Sequence, residues 1–586
     1  MVKQLNYSII ADAYEKIEST SKRLEMIDFL VDLLRETPKE IIDKVIYLTQ
    51  GKICPDFVGL EVGIAEKLAI KSLSKASGRD QKQIENDLKK SGDIGKTAFE
   101  FISERIQTSF FKRTLTVEKV FETFKKMAKT VGSKAINVKI SLLSGLLLDA
   151  SPKEAKYLMR TVTQNLRLGI ADMTVLDALA ISYGGGKNNR PKIERAYNIS
   201  SDLGKVAQKI AETGLEGINT IQVEVFKPIR PMLAERLSST EEILDKLNGL
   251  CSAEYKYDGE RVQIHKKGQQ ITLYSRRLEN ITNQYPDIIK FIKTSIVSNT
   301  AILEGEIVAI NRQTGALLPF QELMRRRRKY NVTRFMELYP VSLFLFEALY
   351  VDGEDFTTKK YFDRRKVLEN ILKKNDKIKL AKNFVTTNKK ELESFFEEAI
   401  ANGSEGLICK ATGNYSIYQA GARGWLWIKY KKDYHSEMID TTDLVIIGAF
   451  YGRGKRAGVY GTLLLATYNK ECDTFESVTK CGTGFTDEDL IKIPNILKNH
   501  IITKKHPRVI STIDAEIWFE PKLVLEIIGA EITLSPIHTC GFGSIRKNRG
   551  LAIRFPRFTG KYRTEKNPED ATTSMEIIEI YRNQIK

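Results

Sequence analysis

Apolar positions along the chain change period twice, and the changes divide it into three stretches. From the N-terminus to about Phe226 they recur three and four apart, as in Ile42, Val45, Ile46 and Thr49 or Leu142, Leu143, Leu146 and Leu147, the spacing of helices that bury one face. Ser151, Pro152 and Glu154 form a helix-start signal, with the serine placed to cap and the proline suited to the first turn. Gly184 to Pro191, opening on three glycines, predicts a flexible loop whose spacing is not that of a phosphate loop. Pro228 and Pro231 then end the helical pattern.

Beyond them the period becomes two. Glu254 to Arg261 places Ala253, Tyr255 and Tyr257 on one face and Glu254, Lys256 and Asp258 on the other, with Asp258 and Gly259 as the turn of a predicted hairpin. Ala301 to Val308 sets Glu304 and Glu306 on one strand face between Ile302 and Val308. Val341 to Tyr350 reads as a strand buried on both faces. A helix near Glu391 to Ala401 precedes Glu405, which opens another strand, and Trp425 to Lys431 puts Lys429 and Lys431 on one face. From about Thr441 short strands dominate again, compatible with an OB-type barrel, and Ser574 to Ile585 reads as a closing helix. The three stretches are 1–226, 227–434 and 435–586.

Charge adds a partner class. With 586 residues, 42% of them hydrophobic, the chain can bury proper cores. Its 92 Lys and Arg against 74 Asp and Glu leave +18, so a polyanion, nucleic acid first, is the expected partner, unless the charge serves solubility alone. No stretch approaches a membrane span and the start lacks a signal-peptide core, which places the protein in the cytoplasm. The six cysteines are scattered without a Cys-x-x-Cys pair, which argues against a disulfide framework and a structural zinc site.

Each charged strand taken alone reads equally as a solvated edge. Two carboxylates on a half-buried strand do require a cation or donor, and a hard cation such as magnesium satisfies them with oxygen ligands. Gln107 ahead of Phe110 and Phe111 reads either as core or as a plug for another protein's apolar pocket. Arg160 and Arg167 near helix ends, and Arg453 and Lys455 in the basic loop Gly452 to Gly458, suit phosphate-backbone contacts.

The order of the charged elements is more telling. Lys256-x-Asp258-Gly259, Ser275-Arg276, Glu304-Gly-Glu306, Phe346, Glu405-Gly406 and Lys429-x-Lys431 follow one another in a series that resembles the motifs of the covalent nucleotidyltransferases. Arg230 to Leu233, Leu166 to Gly169 with Thr174 to Ala180, and Arg554 to Phe558 extend the match over nearly the whole chain. It resembles the archaeal and eukaryotic replicative type of ATP-dependent DNA ligase. That resemblance implies a multidomain protein: an all-α N-terminal DNA-binding domain, an α+β adenylation (nucleotidyltransferase) domain with antiparallel sheets, and a C-terminal OB-fold β-barrel.

It also implies residue roles. Lys256 would be the nucleophile on the α-phosphate of ATP, and Glu254 would accept from the adenine amino group. Arg261 and Arg276 would hold ribose or phosphate, Phe346 would stack on the base, and Arg423 and Lys410 would lie at the nucleotide. Glu306 and Glu405 would orient ribose and Mg²⁺, with Mn²⁺ as an alternative, and Lys429 and Lys431 would grip the α-phosphate. Arg554, Arg557, Arg563 and Lys566 match the last motif, which acts on pyrophosphate. Phe320 and Phe555 match residues that press on the minor groove beside a nick. Two positions depart from the pattern, since Glu347 and Glu565 stand where aspartate is usual. The partners implied are nicked double-stranded DNA and, through Gln107, Phe110 and Phe111, a sliding clamp, for a protein acting as a monomer. An amine attacks only uncharged, a form that cations near Lys256 favour and that Glu254 and Asp258 oppose.

Overall fold

The computed structural model describes residues 4–105, 113–132, 134–326, 332–373, 375–431, 441–452 and 458–585. The chain forms two compact units, Met1–Arg79 with Ala98–Lys432, and Asp80–Thr97 with Asp433–Lys586.

The N-terminal part of the first unit is helical, as its period predicts. Ile42–Thr49 and Ala135–Asp149 are helices, and Pro152–Val162 starts with a complete capping box between Ser151 and Glu154. The glycine stretch is shorter than the predicted loop, because a helix begins at Arg190 with Pro191 in its first turn. Among the described residues no helix is long and apolar enough to cross a membrane.

The rest of this unit is two sheets. The first is built from β1 (Leu233–Arg236), β2 (Cys251–Lys256), β9 (Asn383–Thr386), β10 (Gly406–Ala411) and β11 (Arg423–Lys431), in the order β1-β11-β10-β2-β9. The second holds β3 (Glu260–Lys267), β4 (Gln270–Ser275), β5 (Thr300–Ala309), β6 (Val341–Val351) and β7 (Glu354–Asp355), ordered β4-β3-β5-β6-β7, with β8 (Ile378–Leu380) also paired to β6. Pairing is antiparallel except for β1 with β11 and β6 with β8. Each sheet packs one face on helices. Ala253, Tyr255, Tyr257, Leu407, Cys409 and Ile428 bury with Ile243 and Leu392, while Ile264, Leu303, Ile307, Leu343 and Leu345 bury with Ile288, Ile292 and Leu368.

One expectation fails here. Asp258 and Gly259 do not close a hairpin, because β2 pairs with β9 and β10 while β3 pairs with β4 and β5. The turn instead carries the chain from one sheet to the other. Glycine is required at that crossing, since a Cβ on Gly259 would lie 2.3 Å from the Ile307 carbonyl oxygen and 2.9 Å from Glu306 Cγ.

The proline segment before β1 is pinned by β3 side chains. Gln263 exchanges two hydrogen bonds with the Ile229 backbone, 2.7 and 2.9 Å, and Arg261 donates to the Met232 carbonyl at 2.8 Å. The Phe226 N–H donates to His265 Nδ1 at 2.8 Å. Burial pulls that imidazole down to about 3, so the ring stays neutral and can accept.

The second unit is β-rich. Its long strands are β12 (Thr442–Tyr451), β13 (Tyr460–Asn469) and β14 (Thr474–Cys481), the centre of an eight-stranded sheet. Leu444 and Ile446 join one buried cluster, Val445 and Ile447 the other, so β12 is covered on both faces. The closing helix spans Ser574–Ile585.

Candidate active site

The unpacked faces of the two sheets enclose a cavity of about 1290 Å³, whose lining includes Lys256, Glu306, Phe346, Glu405 and Lys431. Lys256 ends β2 and Lys431 ends β11, and both strands flank β10, which opens at Gly406 directly after Glu405. That adjacency brings the three charges together. Lys256 Nζ lies 2.5 Å from Glu405 Oε2, and Lys431 pairs with the same oxygen. Gly406 makes the approach feasible: its φ is +146°, and a Cβ there would sit 2.1 Å from the Tyr430 carbonyl oxygen.

The acids around Lys256 are held in unequal states. The Glu405 carboxyl is drawn down to about 2, because the charge of Lys256, a hydrogen bond from Asp258 and those from Lys256 and Lys431 outweigh its burial. Burial first, then Glu405, pushes Asp258 up to about 6. Glu306 is pushed up to about 8, by burial first and then by Glu405 and Asp258. The Lys429 amine is lowered by burial and by Arg423, Lys431, Lys256 and Arg276. The cavity therefore has an acidic patch near Lys256 and a wall of mutually repelling cations, a wall that attracts a polyphosphate.

At the back wall of the cavity the charges meet in ion pairs. Glu254 is 2% exposed, accepting from Lys410 at 2.8 Å and from the Tyr361 hydroxyl at 2.8 Å. Arg261 pairs with Glu304 at 2.8 Å and lies over the Phe346 ring, 5.5 Å from its centroid. Glu347 receives two bonds from Arg364, 2.8 and 3.2 Å, so the glutamate in place of aspartate serves a buried ion pair.

All the residues expected at the nucleotide, Glu254, Arg261, Arg276, Glu306, Phe346, Lys410, Arg423, Lys429 and Lys431, line this one cavity with Lys256, Glu405 and Phe320. The expectation for Arg160 is corrected. Its side chain is buried and held by Glu18 through bonds of 2.9 and 3.0 Å, so it braces two helices and has no surface to offer a phosphate. Arg167 sits half-exposed in a loop, with a φ of 58°. Gln107, Phe110, Phe111, Arg453 and Lys455 lie outside the described residues.

The last-motif residues lie in the second unit. Arg563 pairs with Asp443 at 3.1 Å and with Glu565 at 2.6 Å, and Lys566 pairs with Asp443 at 2.6 Å. Arg554 lies over the Phe555 ring, and Phe555 itself is 73% exposed with a φ of 51°. Some cavity residues escape sequence reading. Ile408 and Trp427 line it, each two positions before a lysine on the same strand face. Asn280, Asn283 and Gln284 do so from the loop after β4, where only a run of amides marked the stretch.

A lysine amine among carboxylates, beside further cations on the wall of a cavity with room for a nucleotide, is the apparatus of an enzyme that transfers a nucleotidyl group through lysine. The fold is shared over 94% of this chain and 99% of the other with a solved structure described as "Pmar-Lig_PreS3", at a TM-score of 0.54 and 15% identity. Three family models match in order: DNA ligase N terminus over residues 6–180, ATP dependent DNA ligase domain over 231–431, and ATP dependent DNA ligase C terminal region over 456–566. DNA ligase 2 of Thermofilum pendens is 54% identical over 99% of this chain and 98% of its own. A probable DNA ligase of Aquifex aeolicus is 52% identical over 99% of both chains, and the DNA ligase of Sulfophobococcus zilligii is 52% identical over 99% of this chain and 97% of its own. The chain belongs to the ATP-dependent DNA ligase family.

Proposed function

We propose that this ligase seals nicks in double-stranded DNA, joining a 3′-hydroxyl to a 5′-phosphate, with Lys256 as its nucleophile. The observation that carries the reading is the convergence on one cavity of Lys256, its partner Glu405 at 2.5 Å and the cations Lys429, Lys431, Arg276 and Arg423.

In the first step Lys256 Nζ attacks the α-phosphorus of ATP. A nitrogen–phosphorus bond forms, the bond to the β-phosphate oxygen breaks, and pyrophosphate leaves. The incoming phosphates compete with Glu405 for both Lys431 and Lys256, which loosens the clamp on Lys256. The departing ammonium proton has an acceptor nearby in Asp258, whose carboxyl sits at about 6. Lys429 and Lys431 counter the charge that builds on the α-phosphate. The nick 5′-phosphate then attacks the same phosphorus and releases Lys256, and the 3′-hydroxyl displaces AMP to close the strand.

Glu254 meets the adenine amino group, Phe346 and Ile408 flank the base, and Arg261 and Arg276 hold ribose and phosphate. Glu306 and Glu405 are the residues that would hold Mg²⁺, or Mn²⁺ in its place. Their oxygens suit a hard cation, and Glu306 is a partly buried acid on the cavity wall whose carboxyl is pushed up to about 8, a shift that a bound cation would reverse. Among the described residues no three His, Cys, Asp or Glu groups are already gathered for a metal. When bound, the cation neutralises the leaving pyrophosphate.

Residues 1–226 bind the duplex, 227–434 carry the chemistry, and 435–586 form an OB-fold whose Arg554, Arg557, Arg563 and Lys566 act on pyrophosphate in the first step. Phe320 and Phe555 press on the minor groove, while Arg167, Arg453 and Lys455 contact the backbone. The protein works as a monomer in the cytoplasm with the chromosomal DNA. A sliding clamp docks through Gln107, Phe110 and Phe111; replacing both phenylalanines by alanine should abolish clamp stimulation and spare intrinsic sealing. Nicked DNA and nicked RNA duplexes compared side by side test the substrate: sealing of DNA alone supports the proposal, and preferential sealing of RNA overturns it.

A further inference from the structure

Lys410 is 1% exposed, yet it touches both groups assigned to the base. Its Nζ lies 2.8 Å from Glu254 Oε2 and donates to the Phe346 carbonyl oxygen at 2.9 Å. The ammonium also stands 4.6 Å from the centre of the Trp427 ring and 5.3 Å from that of Phe346. Glu347, its third neighbour, is farther away at 3.7 Å and already carries both Arg364 bonds. Glu254 is thus the carboxylate that Lys410 serves. The next cation to Glu254, Arg365, is at 3.7 Å.

An ammonium has donors and no lone pair, so the oxygen it meets must accept. Tyr361 meanwhile occupies Glu254 Oε1 at 2.8 Å. Held from behind at both oxygens, the carboxylate cannot slide along the base edge, and an ionised carboxylate presents lone pairs only. A purine with a 6-amino group offers it a donor. A purine with a 6-oxo group sets lone pair against lone pair.

We propose that Lys410 is a positioning residue that sets base specificity, fixing Glu254 as a pure acceptor and anchoring the Phe346 strand so that the cavity selects 6-aminopurine over 6-oxopurine nucleotides. The inference rests on the reading in which Lys256 takes up the nucleotide and Glu254 faces the base. Without Lys410, Glu254 is held from behind only at Oε1 by Tyr361, and the Phe346 carbonyl loses the bond that fixes its strand. The carboxylate can then turn away from the base edge, its acceptor no longer meets the 6-position squarely, and the discrimination collapses.

The test compares α-labelled ATP with α-labelled inosine triphosphate, which differs from ATP only at the 6-position and the adjoining N1 proton, in forming the covalent lysyl nucleotide. Wild type should favour ATP by roughly 10⁴-fold, the scale on which a site built to hydrogen-bond a substrate donor rejects the analogue that lacks it. Lys410→Met should slow labelling by ATP and lower the ATP preference about tenfold or more. A merely structural lysine would slow both nucleotides equally, and an unchanged ratio overturns the proposal. Glu254→Gln is the second variant. Lys410 takes its amide oxygen, the NH₂ turns to the base, and the preference should move towards inosine triphosphate by about tenfold or more. If Lys410→Met does not fold, an unchanged ratio in Glu254→Gln overturns the proposal alone. Wild type that takes up neither label overturns the adenylation reading, and this inference with it.

Discussion

Glu306 should make the cleft less stable as pH rises, in a way that one substitution removes. Its carboxyl stands at about 8 in the folded chain against an ordinary 4.5, because burial and the like charges of Glu405 and Asp258 outweigh the pull of Lys256 and Arg261. The folded state therefore keeps this proton over a range in which the unfolded chain has lost it. Stability from that difference is fully present below about pH 4.5 and is lost as pH rises through about 8. The interval of about 3.5 pH units, at about 1.4 kcal/mol each, sets an upper limit of about 5 kcal/mol. The side chain borders an open cavity, where solvent screens it, so ~2 kcal/mol is the working expectation. Glu306→Gln keeps the shape and removes the titration. Urea unfolding between pH 5 and 9 can be followed by tryptophan fluorescence, since two of the three tryptophans, Trp425 and Trp427, lie on β11. Midpoints are compared, because a multidomain chain need not unfold in two states. Wild type should lose ~2 kcal/mol relative to Glu306→Gln across that range, and Mg²⁺ should flatten the wild-type curve alone. Parallel curves, or wild type gaining on the variant as pH rises, would refute the placement of Glu306.

The other expectations concern the clamp around Lys256. Gly406→Ala forces a Cβ to within 2.1 Å of the Tyr430 carbonyl oxygen, which should cost ~2 to 3 kcal/mol in stability and cut lysyl-nucleotide formation about tenfold or more; a melting temperature and labelling rate equal to wild type would show that β10 and β11 do not approach this closely. Lys431→Ala and Lys429→Ala should each lower the rate of nucleotide transfer roughly 100-fold with a smaller change in KM for ATP. If KM rises and kcat holds, these lysines bind ATP without acting on the transfer.

How much of this could be read from the sequence depended on how local each feature is. The helices, the capping box at Ser151 and the two-sided burial of β6 follow from spacing within one element. The hairpin at Asp258 and Gly259 does not, because period-two alternation gives a strand its faces but not its partners, and β2 and β3 each have both edges filled by other strands. Arg160 looked like a surface cation because its partner Glu18 lies 142 residues away. Lys410 showed the same limit in reverse: the resemblance placed it near the nucleotide, whereas its burial against Glu254 and Phe346 depends on three strands from two sheets. Glu347 is legible only with Arg364 in view, and then the longer side chain is explained by the pair it completes.

The central claim is that Lys256 becomes covalently attached to AMP. Incubation of the full chain with α-labelled ATP and Mg²⁺, followed by denaturing electrophoresis, tests it most directly. The account predicts label on the wild-type band, released by pyrophosphate or by nicked DNA, and none on Lys256→Ala. Label that persists on Lys256→Ala, or a wild-type protein that seals nicked DNA without ever carrying label, would contradict it.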